Sequence, residues 1–165
     1  MSEETDLAAA VLDACRARHL KVATAESCTG GLVAGALTDV PGSSDVVDRG
    51  FVTYSNEAKQ QMLGVTSETL RDHGAVSRQT AEAMARGAIA NSQAHLAVAI
   101  TGVAGPGGGS DDKPVGLVHF AAADRGGAIT AQEMRYGAVG RAEIRRQSVL
   151  QALTMLKTVA ERSSS

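Results

Sequence analysis

Thr24-Ala-Glu-Ser-Cys-Thr-Gly-Gly31 lies between an apolar run, Lys21-Val-Ala-Thr24, and an amphipathic one, Leu32-Val-Ala-Gly-Ala-Leu37. That order reads as strand, tight turn and helix. Three potential nucleophiles, Ser27, Cys28 and Thr29, stand immediately before the pair Gly30-Gly31. A turn of this kind presents a side chain at the carboxyl end of a strand, where α/β sheets bind their ligands. It is also expected to aim the free N–H groups of the helix start at whatever binds there.

Working outward, Leu7, Val11, Leu12 and Cys15 mark one face of a first helix, with Thr5 or Asp6 as its N-cap. The helix after Gly30 runs to about Asp39, where Pro41-Gly42 stops it. Val46 to Tyr54 is rich in β-formers and reads as a second strand. Ser55 or Asn56 caps a short helix ended by Gly64. Thr66 starts another, closed by Gly74, and Ser77 caps a longer one with Ala81, Met84, Ala85, Ala88 and Ile89 on its buried face. Leu96 to Thr101 is a continuous apolar run, as expected of a central strand. Gly102 to Pro114 is the longest irregular segment. Val115 to Ala121 and Ile129 to Tyr136 read as strands, joined as a hairpin through Asp124-Arg-Gly-Gly127. Arg141 to Arg162 is a final helix, and residues 162–165 form a frayed tail. Alternating helices and strands with a late hairpin give one domain over residues 1–165, a three-layer α/β/α sandwich with a mixed sheet.

The 165 residues suffice for one well-cored domain. Because aromatic residues make up only 2% of the chain, the core must come from Ala, Val, Leu, Ile and Met. A net charge of -2 gives no pull toward nucleic acid, and two Tyr and two Phe offer few stacking platforms. No apolar run approaches the ~20 residues of a membrane span. The acidic start, Met-Ser-Glu-Glu-Thr-Asp, is unlike a secretory signal, and two cysteines make no disulfide framework. These features predict a protein of a reducing cytoplasm.

A nucleophilic serine needs a group to take its proton. His19, His73, His95 and His119 all lie outside Gly-rich turns and read as structural or surface residues. A desolvated, neutral lysine can serve instead. Lys59, one turn into the helix that leaves the second strand, is the candidate, with Tyr54 at that strand's end able to relay a proton or orient it. Taken alone, Lys59 also reads as a solvated surface charge, Ser27 as a turn or N-cap serine and Cys28 as a small buried residue. The Gly102–Gly109 loop can cradle a phosphate with backbone N–H groups, although it fits neither a Walker loop nor a dinucleotide fingerprint. Arg141 and Arg145, four apart near a helix start, could fork onto a phosphate or carboxylate. Asp111-Asp112 has no companion ligand at metal-binding spacing, so no metal site is expected.

Taken together, Ala25-Glu-Ser-Cys-Thr-Gly-Gly31, Gly50-Phe-Val-Thr-Tyr-Ser-Asn-Glu-Ala-Lys59, Gly74-Ala-Val-Ser77, Ile100-Thr-Gly-Val-Ala-Gly-Pro-Gly-Gly108 and Lys113-Pro-Val-Gly116 resemble the CinA C-terminal domain family, in order over nearly the whole chain. The resemblance implies an amidohydrolase that needs no cofactor and converts nicotinamide mononucleotide and water to nicotinate mononucleotide and ammonia. It implies Ser27 as nucleophile, Lys59 as base and Tyr54 assisting. It implies substrate binding by Thr29, Gly30, Gly31, Asn56, Gly102, Ala104, Gly105, Gly107, Gly108, Arg141 and Arg145. Many relatives carry a further N-terminal domain, which the resemblance does not cover; a homo-oligomer is compatible with it. Two other readings remain open at this point: a non-catalytic nucleotide-binding module tied to competence or DNA damage, and a cysteine amidase built on Cys28.

Overall fold

A computed structural model describes residues 2–163. Five strands, β1 (Val22–Glu26), β2 (Val47–Val52), β3 (Leu96–Gly102), β4 (Leu117–Asp124) and β5 (Ile129–Arg135), form one sheet in the order β2-β1-β3-β4-β5. β2, β1 and β3 run parallel, while β4 and β5 are antiparallel additions. Helices α1 (Glu3–Ala17), α2 (Leu32–Thr38) and α6 (Arg141–Arg162) cover one face. Helices α3 (Asn56–Leu63), α4 (Ser67–His73) and α5 (Arg78–Ala90) lie on the other. The expected three-layer mixed sandwich is the observed one, with β3 at its centre.

The two faces of the sheet differ in side-chain size. Strand alternation sends Val22, Leu96, Val98, Ile100, Val118 and Phe120 toward α1, α2 and α6. It sends Ala23, Ala25, Ala97, Ala99, Ala121 and Ala123 toward α5. The alanine face lets α5 settle close to the sheet through Ala81, Met84, Ala85 and Ala88. A flank of α5 meets α3 at the buried Gly87, where an added Cβ would collide with the Leu63 carbonyl oxygen. The position of α3, and of everything it carries, therefore depends on a hydrogen atom at position 87.

Several boundaries depart from expectation. β2 covers Val47–Val52 and not Val46–Tyr54, so Tyr54 lies past the strand, where the Thr53 and Tyr54 carbonyls turn to the Lys59 amine. α1 begins at Glu3, with Ser2 as its cap in place of Thr5 or Asp6, because the Ser2 hydroxyl accepts the Thr5 N–H at 3.1 Å. Glu3, Glu4 and Asp6 then fall in the first turn, where carboxylates suit the helix dipole. β4 begins at Leu117 and not Val115, because the Leu117 N–H turns back to the Pro114 carbonyl and Gly116, at φ 93°, lies against the Gly137 backbone. Arg162 belongs to the last turn of α6, and Ser163 caps it with its N–H on the Val159 carbonyl at 3.0 Å; the remainder of the expected frayed tail, 164–165, lies outside the described residues.

The Gly87 contact reverses an ordinary expectation. Ala in place of Gly inside a helix usually stabilises by ~1 kcal/mol. Gly87→Ala is expected to destabilise by about 2 kcal/mol, the scale of overpacking, measured as a lowered urea midpoint with an unchanged m-value.

Candidate active site

The residue that ends β1 and the one that follows point to opposite faces of the sheet. Ser27 N–H donates to the Ile100 carbonyl at 2.9 Å, and Thr53 N–H donates to the Glu26 carbonyl at 2.8 Å, so neighbours on both sides fix the backbone here. Glu26, 1% exposed, turns toward α2. Its carboxylate accepts the Thr29 hydroxyl at 2.6 Å and the N–H groups of Val33 and Ala34 at 2.9 and 3.0 Å. The start of α2 is thus capped from within the chain. This corrects the expectation that its N–H groups are free for a ligand. Gly30 (φ 58°) and Gly31 (φ 107°) supply the left-handed conformations that let the chain double back, and the Gly30 N–H closes the turn on the Ser27 carbonyl at 3.0 Å.

Ser27 faces the α3 side. The Ser55 hydroxyl caps α3 by accepting the Ala58 N–H at 3.0 Å, and the next residue, Lys59, runs inward until it is 1% exposed. Its Nζ lies 3.1 Å from Ser27 Oγ, 2.9 Å from the Thr53 carbonyl and 3.3 Å from the Tyr54 carbonyl. Among the described residues it has no acidic partner. Burial pushes its pKa below 10.5, and the Cys28 thiol alongside opposes this. A neutral amine has two N–H donors and one lone pair. A neutral amine that gave both donors to the two carbonyls would keep its lone pair for the serine hydroxyl. Cys28 lies beside this pair, but burial raises its thiol to about 11, which disfavours the thiolate a cysteine nucleophile requires.

Ser27, Cys28, Tyr54, Asn56 and Lys59 line a cavity of about 300 Å³ with the Gly102–Gly108 loop and Arg141. It opens at the carboxyl ends of the three parallel strands, where ligands of open α/β sheets bind. Arg141 donates to the Gly105 carbonyl at 2.8 Å and to the Tyr54 hydroxyl at 3.0 Å, joining the glycine loop to the end of β2. The Tyr54 ring is therefore paired with Arg141, and its contact with Lys59 is made by its backbone. Larger cavities occur elsewhere, one of about 490 Å³ beside Arg125 and Arg162, without a nucleophile and base in contact.

Of the site residues expected from sequence, Ser27, Lys59, Tyr54, Asn56, Gly102, Ala104, Gly105, Gly107, Gly108 and Arg141 converge on this cavity. Thr29, Gly30, Gly31 and Arg145 do not line it. Thr29 is fully buried on Glu26, the glycines shape the turn, and Arg145 donates to the Cys28 and Thr29 carbonyls at 3.1 and 3.2 Å. Sequence reasoning missed Glu26 as the internal cap, although a carboxylate shortly before a helix start is a signal for one. It also missed the Thr53 carbonyl, which no side-chain pattern reveals. No histidine lines the cavity. Among the described residues no group of three or more His, Cys, Asp or Glu could hold a metal ion, and no helix is long and apolar enough to cross a membrane.

Comparison with known proteins agrees with this architecture. The family model of the CinA C-terminal domain matches residues 4–160. Nicotinamide-nucleotide amidohydrolase PncC of Escherichia coli (strain K12) is 53% identical over 156 residues, 94% of this chain and 93% of that protein. A relative from Caldicellulosiruptor bescii is 50% identical over 140 residues, and there the match spans 85% of this chain but only 34% of the relative's length. The crystal structure of the competence/damage inducible protein CihA from Agrobacterium tumefaciens superposes with a TM-score of 0.95 at 57% identity, covering 96% of each chain.

The buried amine makes stability depend on pH in a definite direction. Between its depressed folded pKa and 10.5 the unfolded chain binds the extra proton, so stability rises with pH across that window; below it, the folded state carries the full cost of a buried charge. The stability difference between wild type and Lys59→Met is expected to shift in favour of wild type as pH rises through the window. Urea midpoints at a series of pH values measure it, and a difference independent of pH would mean that Lys59 is charged in the fold.

Proposed function

The chain belongs to the CinA C-terminal domain family, and from that premise we propose that it is a nicotinamide-nucleotide amidohydrolase working through Ser27 and Lys59. The observation that carries the chemistry is the 3.1 Å contact between the buried Lys59 amine and the Ser27 hydroxyl on the cavity wall. The PncC relative, matched over 93% of its length, supports the substrate. Hydrolysis would convert nicotinamide mononucleotide and water to nicotinate mononucleotide and ammonia.

Neutral Lys59 takes the Ser27 proton as Oγ bonds to the carboxamide carbon. The carbonyl electrons move onto oxygen, giving a tetrahedral oxyanion. The N–H groups of Ser27, Gly30, Val33 and Ala34 are already engaged. The N–H group of Cys28, which lines the cavity, donates to no other residue among those described and is the donor assigned to the oxyanion; one such donor commonly contributes roughly 10²–10³ in rate. Collapse of the intermediate breaks the C–N bond, and protonated Lys59 gives its proton to the departing nitrogen as ammonia. Water, activated by the again neutral amine, then releases the acid and restores Ser27.

The substrate's pyridinium charge makes the carboxamide more electrophilic and disfavours a proton on the lysine beside it. Arg141 and the glycine loop are assigned to the phosphate, whose binding holds the amide for attack. The same reading makes this a cytoplasmic enzyme of pyridine-nucleotide recycling. It leaves the exposed Leu32, Val52, Met62 and Val139 available to a homo-oligomer contact.

Ammonia release from nicotinamide mononucleotide tests the proposal. Wild type is expected to turn over equally with and without a chelator, and Ser27→Ala and Lys59→Ala to lose at least ~10³-fold in kcat. Cys28→Ala should stay within a few-fold of wild type, and free nicotinamide should be a poor substrate. Loss of turnover in Cys28→Ala with retention in Ser27→Ala would move the reaction to the thiol.

A further inference from the structure

We propose that Arg145 is a positioning residue that sets the orientation of the peptide groups behind the nucleophile, in place of the substrate contact expected from its spacing with Arg141. The inference rests on the serine–lysine reading and adds a part that the reading does not assign.

Arg145 lies one turn beyond Arg141 on α6, yet the two side chains reach different targets. Arg141 reaches the cavity. The Arg145 guanidinium lies against the turn itself: Nε is 3.1 Å from the Cys28 carbonyl, Nη2 is 3.2 Å from the Thr29 carbonyl, and a Cβ added at Gly30 would stand 3.2 Å from Nη2. In a planar trans peptide the C=O of one residue and the N–H of the next point in opposite directions. Holding the Cys28 carbonyl against Arg145 therefore turns the Thr29 N–H away from α6. Holding the Thr29 carbonyl does the same for the Gly30 N–H, which then meets the Ser27 carbonyl at 3.0 Å and so turns the N–H of Cys28, a residue of the cavity wall, the opposite way.

The turn needs such a brace. Gly30 and Gly31 follow directly at φ 58° and 107°, and glycine imposes little resistance to peptide rotation. The Thr29 side chain is anchored separately, by its 2.6 Å hydrogen bond to the buried Glu26 carboxylate. Glu26 thus holds the side chain of the turn and Arg145 holds its carbonyls. Without the guanidinium, a rotated peptide would present a carbonyl oxygen where the oxyanion needs an N–H.

A phosphate ligand and a backbone brace give opposite kinetics. Arg145→Ala is expected to lower kcat by about 10²-fold, the scale of a lost oxyanion donor, with KM for nicotinamide mononucleotide within about threefold of wild type. Arg145→Lys, which keeps one donor for one carbonyl, should recover part of kcat. A raised KM with unchanged kcat would make Arg145 a substrate ligand and overturn the inference. A substrate-independent readout comes from a small uncharged fluorophosphonate. Ser27 Oγ bonds to its phosphorus, fluoride leaves, and the proton passes to Lys59. Labelling of Arg145→Ala should slow by about the same factor as kcat, while Lys157→Ala, on the surface farther along α6, labels at the wild-type rate. Wild-type labelling of a folded Arg145→Ala would overturn the positioning role alone. Absence of labelling in wild type, equal to Ser27→Ala, would remove the serine–lysine reading and this inference with it.

Discussion

A lysine amine held out of water with no acid to balance it is the constraint around which the site is built. An isolated buried charge is costly enough that such groups shift their pKa and neutralise. Lys59 is 1% exposed and ends on two backbone carbonyls and a serine hydroxyl. A carboxylate at any of these three positions would hold the amine protonated and remove its basicity. Carbonyls accept its hydrogens without fixing a charge. The segment just after β2 supplies both carbonyls, from Thr53 and Tyr54, so the backbone leaving the sheet also sets the surroundings of the amine.

The same junction keeps its one buried carboxylate out of that balance by strand parity. Glu26 and Ser27 are consecutive, so one faces α2 and the other faces Lys59. Glu26 spends its acceptors on Thr29 and on the first N–H groups of α2. A one-residue shift of register would exchange the two and put an acid beside the lysine. The pairing of Glu26 with both Val52 and Ile100 in the flanking strands guards against that slip.

Much of this was readable before any coordinates. α6 spans the expected Arg141–Arg162, and Ser55, Thr66 and Ser77 cap α3, α4 and α5 because each short hydroxyl precedes a helical run. Ser27 and Lys59 were legible as a nucleophile and a candidate base, while their contact was not, since residues 32 apart meet only through the β1–β2 pairing. The occupied start of α2 was hidden because it depends on which way Glu26 faces. The divergence of Arg141 and Arg145 was hidden for a related reason. A spacing of four puts them on one helix face, but it also separates them by about 6 Å along the axis. At the edge of a site that rise is enough for one to reach the cavity and the other to reach the back of the turn.

The alternation of large and small residues in the sheet ties these local devices to the core. The alanine face brings α5 close, and Gly87 lets α3 press against it at Leu63. Lys59 lies one turn before Leu63 on the same helix, and both are buried. The depth to which the amine sinks beneath Ser27 is therefore set by packing between hydrocarbon surfaces. A bulkier residue at the α3–α5 contact would lift the lysine toward water and ease its desolvation. The pKa would return toward 10.5, and the amine beside Ser27 would hold its proton more firmly with every polar residue of the site unchanged. Core packing and base strength are, at this position, one physical quantity.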